Sequence, residues 1–302
     1  MDFSRTIIRE YDTAERAVLH VESRSGTVAV ESHSLQKIIV EAIIHVWSDH
    51  PAEADEAAAL VERGMEQDDQ KRVIVRAPTL PQSEGWSFWG KRGARVDYNV
   101  RVPARTAVRV LSRSGRVGIA RTEGRVHVES GSGRVSIEEV TGEVTVVARS
   151  GSVTVKRIQG DVTAESRSGR VEVSHVTGKA SVQSRSGAIE AREISGDLEA
   201  RGHTGSVNVE MAHGAVSARA HTGVVRYSGR VEGDITMTAH TGSIILAVDP
   251  AQPFFLDAES DTGAVRSELP PRRAGAGAGP APASGPKVRL RAHTGSIRIT
   301  RL

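Results

Sequence analysis

Apolar residues recur in pairs along most of this chain, with one polar residue between the two members of each pair. From residue 112 to residue 228 the pairs follow a glycine by two and four positions, as in Val135/Ile137 and Val171/Val173. A spacing of two places both side chains on one face of a β-strand. No helical i, i+3, i+4 pattern persists there. The pattern therefore predicts short strands with one buried and one solvated face.

Glycine separates the predicted strands at regular intervals. One series occupies every eighteenth position: Gly115, Gly133, Gly151, Gly169, Gly187, Gly205 and Gly223. A second series lies midway between the first: Gly124, Gly142, Gly160, Gly178, Gly196 and Gly214. Because glycine adopts positive φ at little cost, these positions suit sharp corners. The repeating unit is nine residues, one strand and one corner, and two units make one coil.

A coil of about 18 residues has room for two strands of ordinary length and two corners. This predicts an all-β fold, a two-sheet parallel β-solenoid. Successive coils would stack about 4.8 Å apart, and the apolar residues of opposite walls would meet across about 10 Å. Each coil would contact only its neighbours. The chain has 302 residues but only 4 Phe, 3 Trp and 3 Tyr. This scarcity of large rings fits a narrow Val/Ile/Ala core.

The repeat divides the chain into two predicted regions. Residues 1–110 contain an early copy of the corner, Ser23-Arg-Ser-Gly26, a helix at about 51–66 and an aromatic loop at 78–93. Pro51 and acidic residues favour the helix start, and we expect the helix to cap or brace a sheet edge. Residues 111–302 form the regular solenoid, interrupted by a Gly/Pro/Ala-rich loop at 270–286 that we expect to be disordered.

Stacking of the predicted coils would align the outward residue at one corner into a column. We call its arginine and histidine members the Arg/His rim: Arg113, Arg149, Arg167, Arg185, His203, His221 and His240. Either nearby carboxylates such as Glu165, Glu172 and Glu190 balance the arginines, or the rim binds a polyanion such as nucleic acid, teichoic acid or an anionic polysaccharide. No aromatic residue interleaves with the arginines, which argues against single-stranded nucleic acid, so no specific nucleic-acid binding is expected.

The histidines of the rim allow two alternative interpretations. Neighbouring imidazoles of His203, His221 and His240, with His293 further on, could share a transition metal. Alternatively they stack as a side-chain ladder. No carboxylate or cysteine recurs at a fixed spacing to complete a metal site. We therefore expect no cofactor and no resident metal, and keep these histidines as weak metal candidates.

Three aromatic residues, Trp86, Phe88 and Trp89, lie within four positions of one another in the aromatic loop. They either plug the end of the solenoid or pack on the helix, or they dock a partner or a membrane surface with the help of Lys91 and Arg92.

The sequence lacks the residues that several functional classes require. Calcium-binding nonapeptide rolls need Asp where this chain has Val or Ile, and no phosphate-binding loop, Ser-His-Asp set or His-Glu-x-x-His motif occurs. We therefore expect no enzyme activity. The absence of cysteine excludes disulfides, and the net charge is only +3. No apolar run has the length of a signal peptide or a membrane span, so the chain as written is expected to be cytoplasmic.

The repeated units Ser-Arg-Ser-Gly-x-Val-x-Val and His-Thr-Gly-Ser-Ile/Val carry a family resemblance. The order of the segments supports this resemblance. An early repeat at 17–30 is followed by Val100-Arg-Val-Pro103, then by the regular repeat from residue 112 to residue 228, and then by Pro253-Phe-Phe-Leu-Asp-Ala-Glu259. Together they resemble the bacterial putative-adhesin family, whose domains are of unknown function. The chain departs from it in showing no leader and in placing His where Ser is common.

The resemblance implies a β-solenoid, often exported or linked to the cell envelope, without known catalytic residues. We expect a non-catalytic scaffold that presents a repetitive surface or assembles end to end with itself through a bare C-terminal strand, Ser296–Thr300. The alternative is a binding module for an anionic envelope polymer or a membrane surface, through the Arg/His rim or the aromatic loop. The expected partner is thus a second copy or an envelope-associated protein or polymer.

Overall fold

The computed structural model describes residues 2–48, 50–78, 93–269 and 285–302. This part of the chain is mostly β-strand, with a single helix. The chain forms two compact units, Met1–Thr154 (unit 1) and Val155–Leu302 (unit 2). Each is described separately below.

The described residues of unit 1 form one helix and the first ten strands, the last of which runs across the unit boundary. The strands are β1 Asp2–Asp12, β2 Ala17–Ser23, β3 Thr27–His33, β4 Lys37–Trp47, β5 Met65–Gln67, β6 Val73–Val75, β7 Gly93–Pro103, β8 Thr106–Ala120, β9 Val126–Thr141 and β10 Val144–Gln159. The helix, α1, comprises Pro51–Arg63.

Unit 2 contains the remaining strands, most of them short. They are β11 Val162–Ser168, β12 Val171–Val176, β13 Ala180–Ser186, β14 Ile189–Ile194, β15 Leu198–Thr204, β16 Val207–Ala212, β17 Val216–Thr222, β18 Val225–Ser228, β19 Ile235–Thr241, β20 Ile244–Val248, β21 Phe255–Thr262, β22 Val265–Ser267, β23 Lys287–Thr294 and β24 Ile297–Arg301.

The parallel coils of unit 1 follow the predicted repeat. The first half of β8 pairs with β2 and its second half pairs with β3, both in parallel. β8 then pairs with β9 along its length, each residue facing the equivalent residue of the next coil, as in Ile119↔Ile137. The inward Val117, Ile119, Val135 and Ile137 are all buried. The chain therefore winds in a solenoid-like manner, with the predicted apolar pairs in the core.

The N-terminal strands depart in part from the parallel repeat. β4 pairs antiparallel with β1 and with β7, and β5 pairs antiparallel with β6. The early copy of the repeat at 17–30 is present as β2 and β3, which pair in parallel with β8, whereas β1 and β4 lie outside the parallel repeat. In β4, Ile38, Ile39 and Val40 are buried in succession. Over this stretch the strand is therefore buried on both faces, unlike the alternating strands of the coils.

The predicted helix is present and ends at Arg63. It packs against β1 and β4 through the buried Ala54, Ala57 and Val61. Ion pairs join it to β1: Arg5 Nε lies 2.6 Å from Asp55 Oδ1, and Arg9 pairs with Glu62. The helix therefore braces the antiparallel strands of unit 1.

Unit 2 contains two parallel ladders of strands. β11, β13, β15, β17 and β19 form one ladder, and β12, β14, β16, β18 and β20 form the other. Neighbours are offset by one full repeat, as in Val162↔Ala180. The offset grows by a single position at Val216↔Ile235. Each coil contributes one strand to each ladder.

The last two coils are not stacked in sequence order. β23 lies between β19 and β21, and β24 lies between β20 and β22. The prediction that the C-terminal strand, Ser296–Thr300, has an unpaired edge is therefore wrong, because β24 has a hydrogen-bonded neighbour on each side. Among the described residues, the terminal coil is β21–β22 instead. Its inward Val265 is 44% exposed, whereas Ile297 below it is 0% exposed.

The two corners of each coil turn the chain through different backbone conformations. At one corner glycine adopts positive φ, for example +122° at Gly133. At the other corner a residue other than glycine adopts the left-handed conformation, with φ between 52° and 57°. Such residues are Arg121, Glu139, Arg157, His175, Glu193 and Met211. The second corner thus carries backbone strain in each of these coils.

Two buried tyrosines make folding sensitive to alkali. Tyr98 is 1% exposed and its hydroxyl has no hydrogen-bond partner among the described residues, and burial raises its pKa. The Tyr227 hydroxyl donates to Arg230 O at 2.5 Å, and burial raises its pKa to about 12. A raised pKa in the folded state means that the stabilising effect is complete below about pH 10, the unfolded value, and is lost as the pH rises toward 12.

We therefore expect the free energy of unfolding to fall between about pH 10 and 12, and to fall less steeply in Tyr98→Phe and Tyr227→Phe. At neutral pH the two variants should differ. Tyr98→Phe should be neutral or slightly stabilising, since its hydroxyl has no partner among the described residues, whereas Tyr227→Phe should cost about 1 kcal/mol. Urea titrations across this pH range measure both effects. An unchanged alkaline slope in the double variant would contradict the assignment.

Candidate functional site

Four histidines of unit 2 form a continuous stack on the outward face. The ring centroids of His203 and His221, of His221 and His240, and of His240 and His293 are each 4.8 Å apart, with interplanar angles of 1°, 7° and 7°. All four side chains are exposed. His293 adjoins His240 because β23 is the direct neighbour of β19. The structure thus contains the predicted side-chain ladder, with His293 as its fourth ring.

The stack lies between arginines at one end and a carboxylate at the other. The register Ser184↔Gly202 places Arg185 next to His203, and Ser166↔Ser184 places Arg167 next to Arg185. At the opposite end, His293 Nδ1 lies 2.6 Å from Asp261 Oδ2. The charge along this column of unit 2 therefore changes from cationic to anionic.

The geometry of the stack does not suit a shared metal ion. The nitrogen lone pairs of an imidazole lie in its ring plane, so rings stacked in parallel direct them side by side and not toward one point. Among the described residues, no group of three or more His, Asp or Glu side chains is arranged to hold a metal. Stacking is the reading that the ring positions favour.

The rim arginines are not neutralised by the carboxylates that the sequence suggested. Arg167 and Arg185 are exposed and have no ion pair with any described residue. Glu172 pairs instead with Lys156 Nζ at 3.1 Å, and Glu190 with Arg170 Nε at 3.5 Å. Like charges one coil apart repel by about 1 kcal/mol even in water. An anion bound across them would remove that cost.

Unit 1 carries its own part of the rim. Arg113 and Arg149 are exposed and likewise form no ion pair with a described residue. Gly131 occupies the position next to Arg113, since Ser112 pairs with Ser130 and Ser114 with Ser132. A Cβ at Gly131 would lie 2.4 Å from the carbonyl oxygen of Arg113, so the column has no side chain at this level.

A second cationic column, which the sequence analysis missed, runs beside the histidines. Arg201, Arg219 and Arg291 each lie two residues before a histidine of the stack, on the same face of the strand. Arg201 pairs with Glu199 and Arg291 with Asp257, whereas Arg219 has no ion pair among the described residues. The repeated Arg-x-His spacing was the available signal.

A row of exposed hydroxyl groups follows the histidines. Each histidine of the stack precedes a threonine, and these threonines are in register between coils: Thr204, Thr222, Thr241 and Thr294. Each of these four coils thus offers an imidazole and a hydroxyl from adjacent residues, and three of them add the guanidinium of Arg201, Arg219 or Arg291. This set of groups can donate hydrogen bonds to phosphate, sulfate or carboxylate oxygens.

Two sequence predictions concern residues outside the described ranges. Trp86, Phe88 and Trp89 fall there, so both readings of the aromatic loop stay predictions, as does the disorder expected for most of the Gly/Pro/Ala-rich loop. Among the described residues, no helix has the length and apolar character needed to cross a membrane.

Parallel strands wound in regular coils, with equivalent residues in register from one coil to the next, define this chain as a β-repeat protein of the solenoid-like class. Residues 79–300 match the profile of the Toastrack DUF4097 family. The chain belongs to that family, and the resemblance to bacterial putative adhesins is confirmed.

Two solved structures extend the comparison. One is a putative adhesin from Bacteroides fragilis, 12% identical, with 99% of this chain and 97% of that chain covered and a TM-score of 0.33. The other is a putative cell adhesion protein from Clostridium sporogenes, also 12% identical, with 100% of both chains covered and a TM-score of 0.23. At these values neither indicates a ligand. Among curated proteins, none matches the chain.

Proposed function

We propose that this protein is a non-catalytic scaffold, a two-sheet parallel β-solenoid, whose Arg/His rim binds an extended polyanion. The observation that carries the proposal is the row of exposed cationic side chains without partners among the described residues, Arg167 and Arg185, continued by the stacked histidines. Solvent reaches all of these groups, which suits adhesion to a polymer better than catalysis in a water-excluded site.

The linear form of the rim favours a polymer over a small anion. In unit 2, successive coils place an arginine or a histidine of the rim one coil spacing, about 4.8 Å, farther along. A polymer with regularly spaced phosphates or carboxylates can engage several levels at once, so that weak contacts combine into useful affinity. An anionic envelope polymer such as a teichoic acid or an acidic polysaccharide has this chemistry.

Nucleic acid fits the rim less well. Single-stranded nucleic acids bind through aromatic side chains on which bases stack, in addition to basic residues. The neighbours of the rim histidines are threonines and arginines. The rim would therefore recognise only the charge of the polymer and the spacing of its charged groups.

The test compares two double variants that remove the same charge. Arg167→Ser with Arg185→Ser should weaken binding of a polyanion such as heparin or polyphosphate about 10-fold at low salt, by roughly 1.4 kcal/mol. The control, Arg226→Ser with Arg298→Ser, removes two arginines on the opposite ladder and should change affinity less than about 3-fold. Isothermal titration calorimetry measures both.

Binding should also weaken steeply as the salt concentration rises. Equal losses in the rim and control variants, or no binding at low salt, would overturn the proposal.

A further inference from the structure

The terminal coil of unit 2 has a neighbour on only one side among the described residues. β21 pairs with β23, and β22 pairs with β24. The N–H of Phe255 donates to Pro286 O at 3.0 Å, toward β23. Because backbone groups alternate in direction along a strand, the N–H groups of Leu256 and Ala258 point to the open side. These groups can accept another strand.

The apolar positions of this coil lack the cover that the other coils have. Leu256 is 38% and Val265 is 44% exposed, whereas Val288 and Ile297, one level below, are each 0% exposed. The core therefore continues to the surface at this end. One additional strand–turn–strand segment would bury both side chains.

The outward face of β21 is acidic at three alternate positions, Asp257, Glu259 and Asp261. Below, Arg291 Nη2 lies 2.5 Å from Asp257 Oδ2 and its Nε lies 3.5 Å from Glu259 Oε2. The hydrogen bonds from Arg291 lower the pKa of Asp257, so its carboxylate is ionised at neutral pH. A strand added on the open side would place its own outward side chains about 4.8 Å from these carboxylates.

The outward face of β22 has the opposite charge. Arg266 lies directly above Arg298, and neither forms an ion pair with a described residue. An acidic side chain on the second strand of an added segment would lie next to Arg266. The open end therefore presents a two-part charge pattern, acidic on one strand and basic on the other.

We infer that the open edge of β21–β22 docks a strand–turn–strand segment of a partner protein, by extending both ladders. The first strand of this segment alternates apolar and basic residues, and the second carries an acidic residue opposite Arg266. Main-chain hydrogen bonds supply affinity in this mode, and the alternate side chains supply specificity. The inference is independent of polyanion binding at the rim.

A second copy of the chain does not fit this edge by two-fold pairing. In an antiparallel pair of β21 strands centred on Glu259, Asp257 would face the Asp261 of the other copy, and the two Glu259 side chains would face each other. Like charges directly opposite across strands are destabilising. A basic partner strand avoids this repulsion.

The probe is a labelled peptide with the sequence of residues 287–302 and the substitution Arg298→Glu, titrated with the intact protein and followed by fluorescence anisotropy. It supplies basic residues for β21 and an acidic residue for Arg266. We expect saturable binding, at least about 10-fold tighter than that of the same peptide carrying Arg289→Glu and Arg291→Glu. Equal binding of both peptides, or none, would overturn the inference.

Protein variants locate the contact. Ala258→Pro removes an open-side N–H while leaving the bonds to β23, and should abolish binding. Glu259→Lys should weaken binding of the basic peptide and strengthen binding of the peptide that carries Arg289→Glu and Arg291→Glu. The matched control is Glu165→Lys, the same change in the same outward column but in the coil of β11, and it should have no effect. If light scattering instead shows a dimer that Ala258→Pro dissociates, a second copy occupies the edge and the partner assignment is wrong.

Discussion

Replacing Gly133 with alanine is expected to destabilise unit 1 by about 4 kcal/mol or more, enough to unfold a marginally stable domain. A Cβ atom at this position would lie 1.7 Å from the carbonyl oxygen of Gly115 in the adjacent coil. Both partners are backbone, so no side chain can move aside. The φ of +122° adds strain, since residues with a Cβ rarely adopt it.

Gly118 provides the matched control. It lies only three residues from the corner glycine Gly115, and a Cβ atom there would meet nothing within 4 Å. Gly118→Ala should therefore change the free energy of unfolding by less than about 1 kcal/mol, in either direction. Urea denaturation followed by circular dichroism compares the two variants. Similar stabilities would mean that the corners do not stack as closely as described.

Replacing Ile297 with aspartate is expected to cost about 4 kcal/mol or more, because it would place a carboxylate in the core without a partner. Ile297 is 0% exposed, covered by β20 on one side and by β22 on the other. Loss of β24 would also leave β22 without a neighbour. The far end of unit 2 should therefore become sensitive to proteolysis.

Val265→Asp is the corresponding change one coil away and should cost no more than about 1 kcal/mol. Val265 occupies the same inward column as Ile297, but it is 44% exposed. Coils stacked in sequence order would reverse the two results, with Val265 buried and Ile297 at the surface. Thermal denaturation of both variants thus tests the coil order directly.

The regular part of the fold could be predicted because the same glycine and apolar positions recur in every repeat. The glycine spacing and the Val/Ile pairs determine which residue lies above which, and pairs such as Val162↔Ala180 show that register. A shift by one residue would expose the whole apolar set. The pattern therefore specifies both the strand and its neighbour.

The order of the last coils could not be predicted in this way. The segments that form β21 and β23 both end in a Thr-Gly corner and both have alternating apolar residues. Either could pair with β19, and local pattern does not distinguish them. Similarly, nothing in the residues Glu193 or Met211 indicates the left-handed backbone that the second corner requires.

The candidate site was predicted in outline only. Stacking of coils was sufficient to place His203, His221 and His240 in one column. The pairing of charges was not predictable, because it depends on which side chains reach across the surface. Glu172 was expected to balance the rim but pairs with Lys156, and the neighbouring arginines such as Arg219 were overlooked.

The position of β23 and β24 imposes an order on biosynthesis. A ribosome delivers β21 and β22 before the strands that lie beneath them, so this coil cannot reach its final level when it emerges. From Phe255 to Arg301 translation takes roughly two to nine seconds at about 5–20 residues per second. During that interval β20 still lacks its final neighbour. β23 and β24 must therefore add to β19 and β20 before β21 and β22 can dock on them, whereas the preceding coils of this unit can form in the order of synthesis.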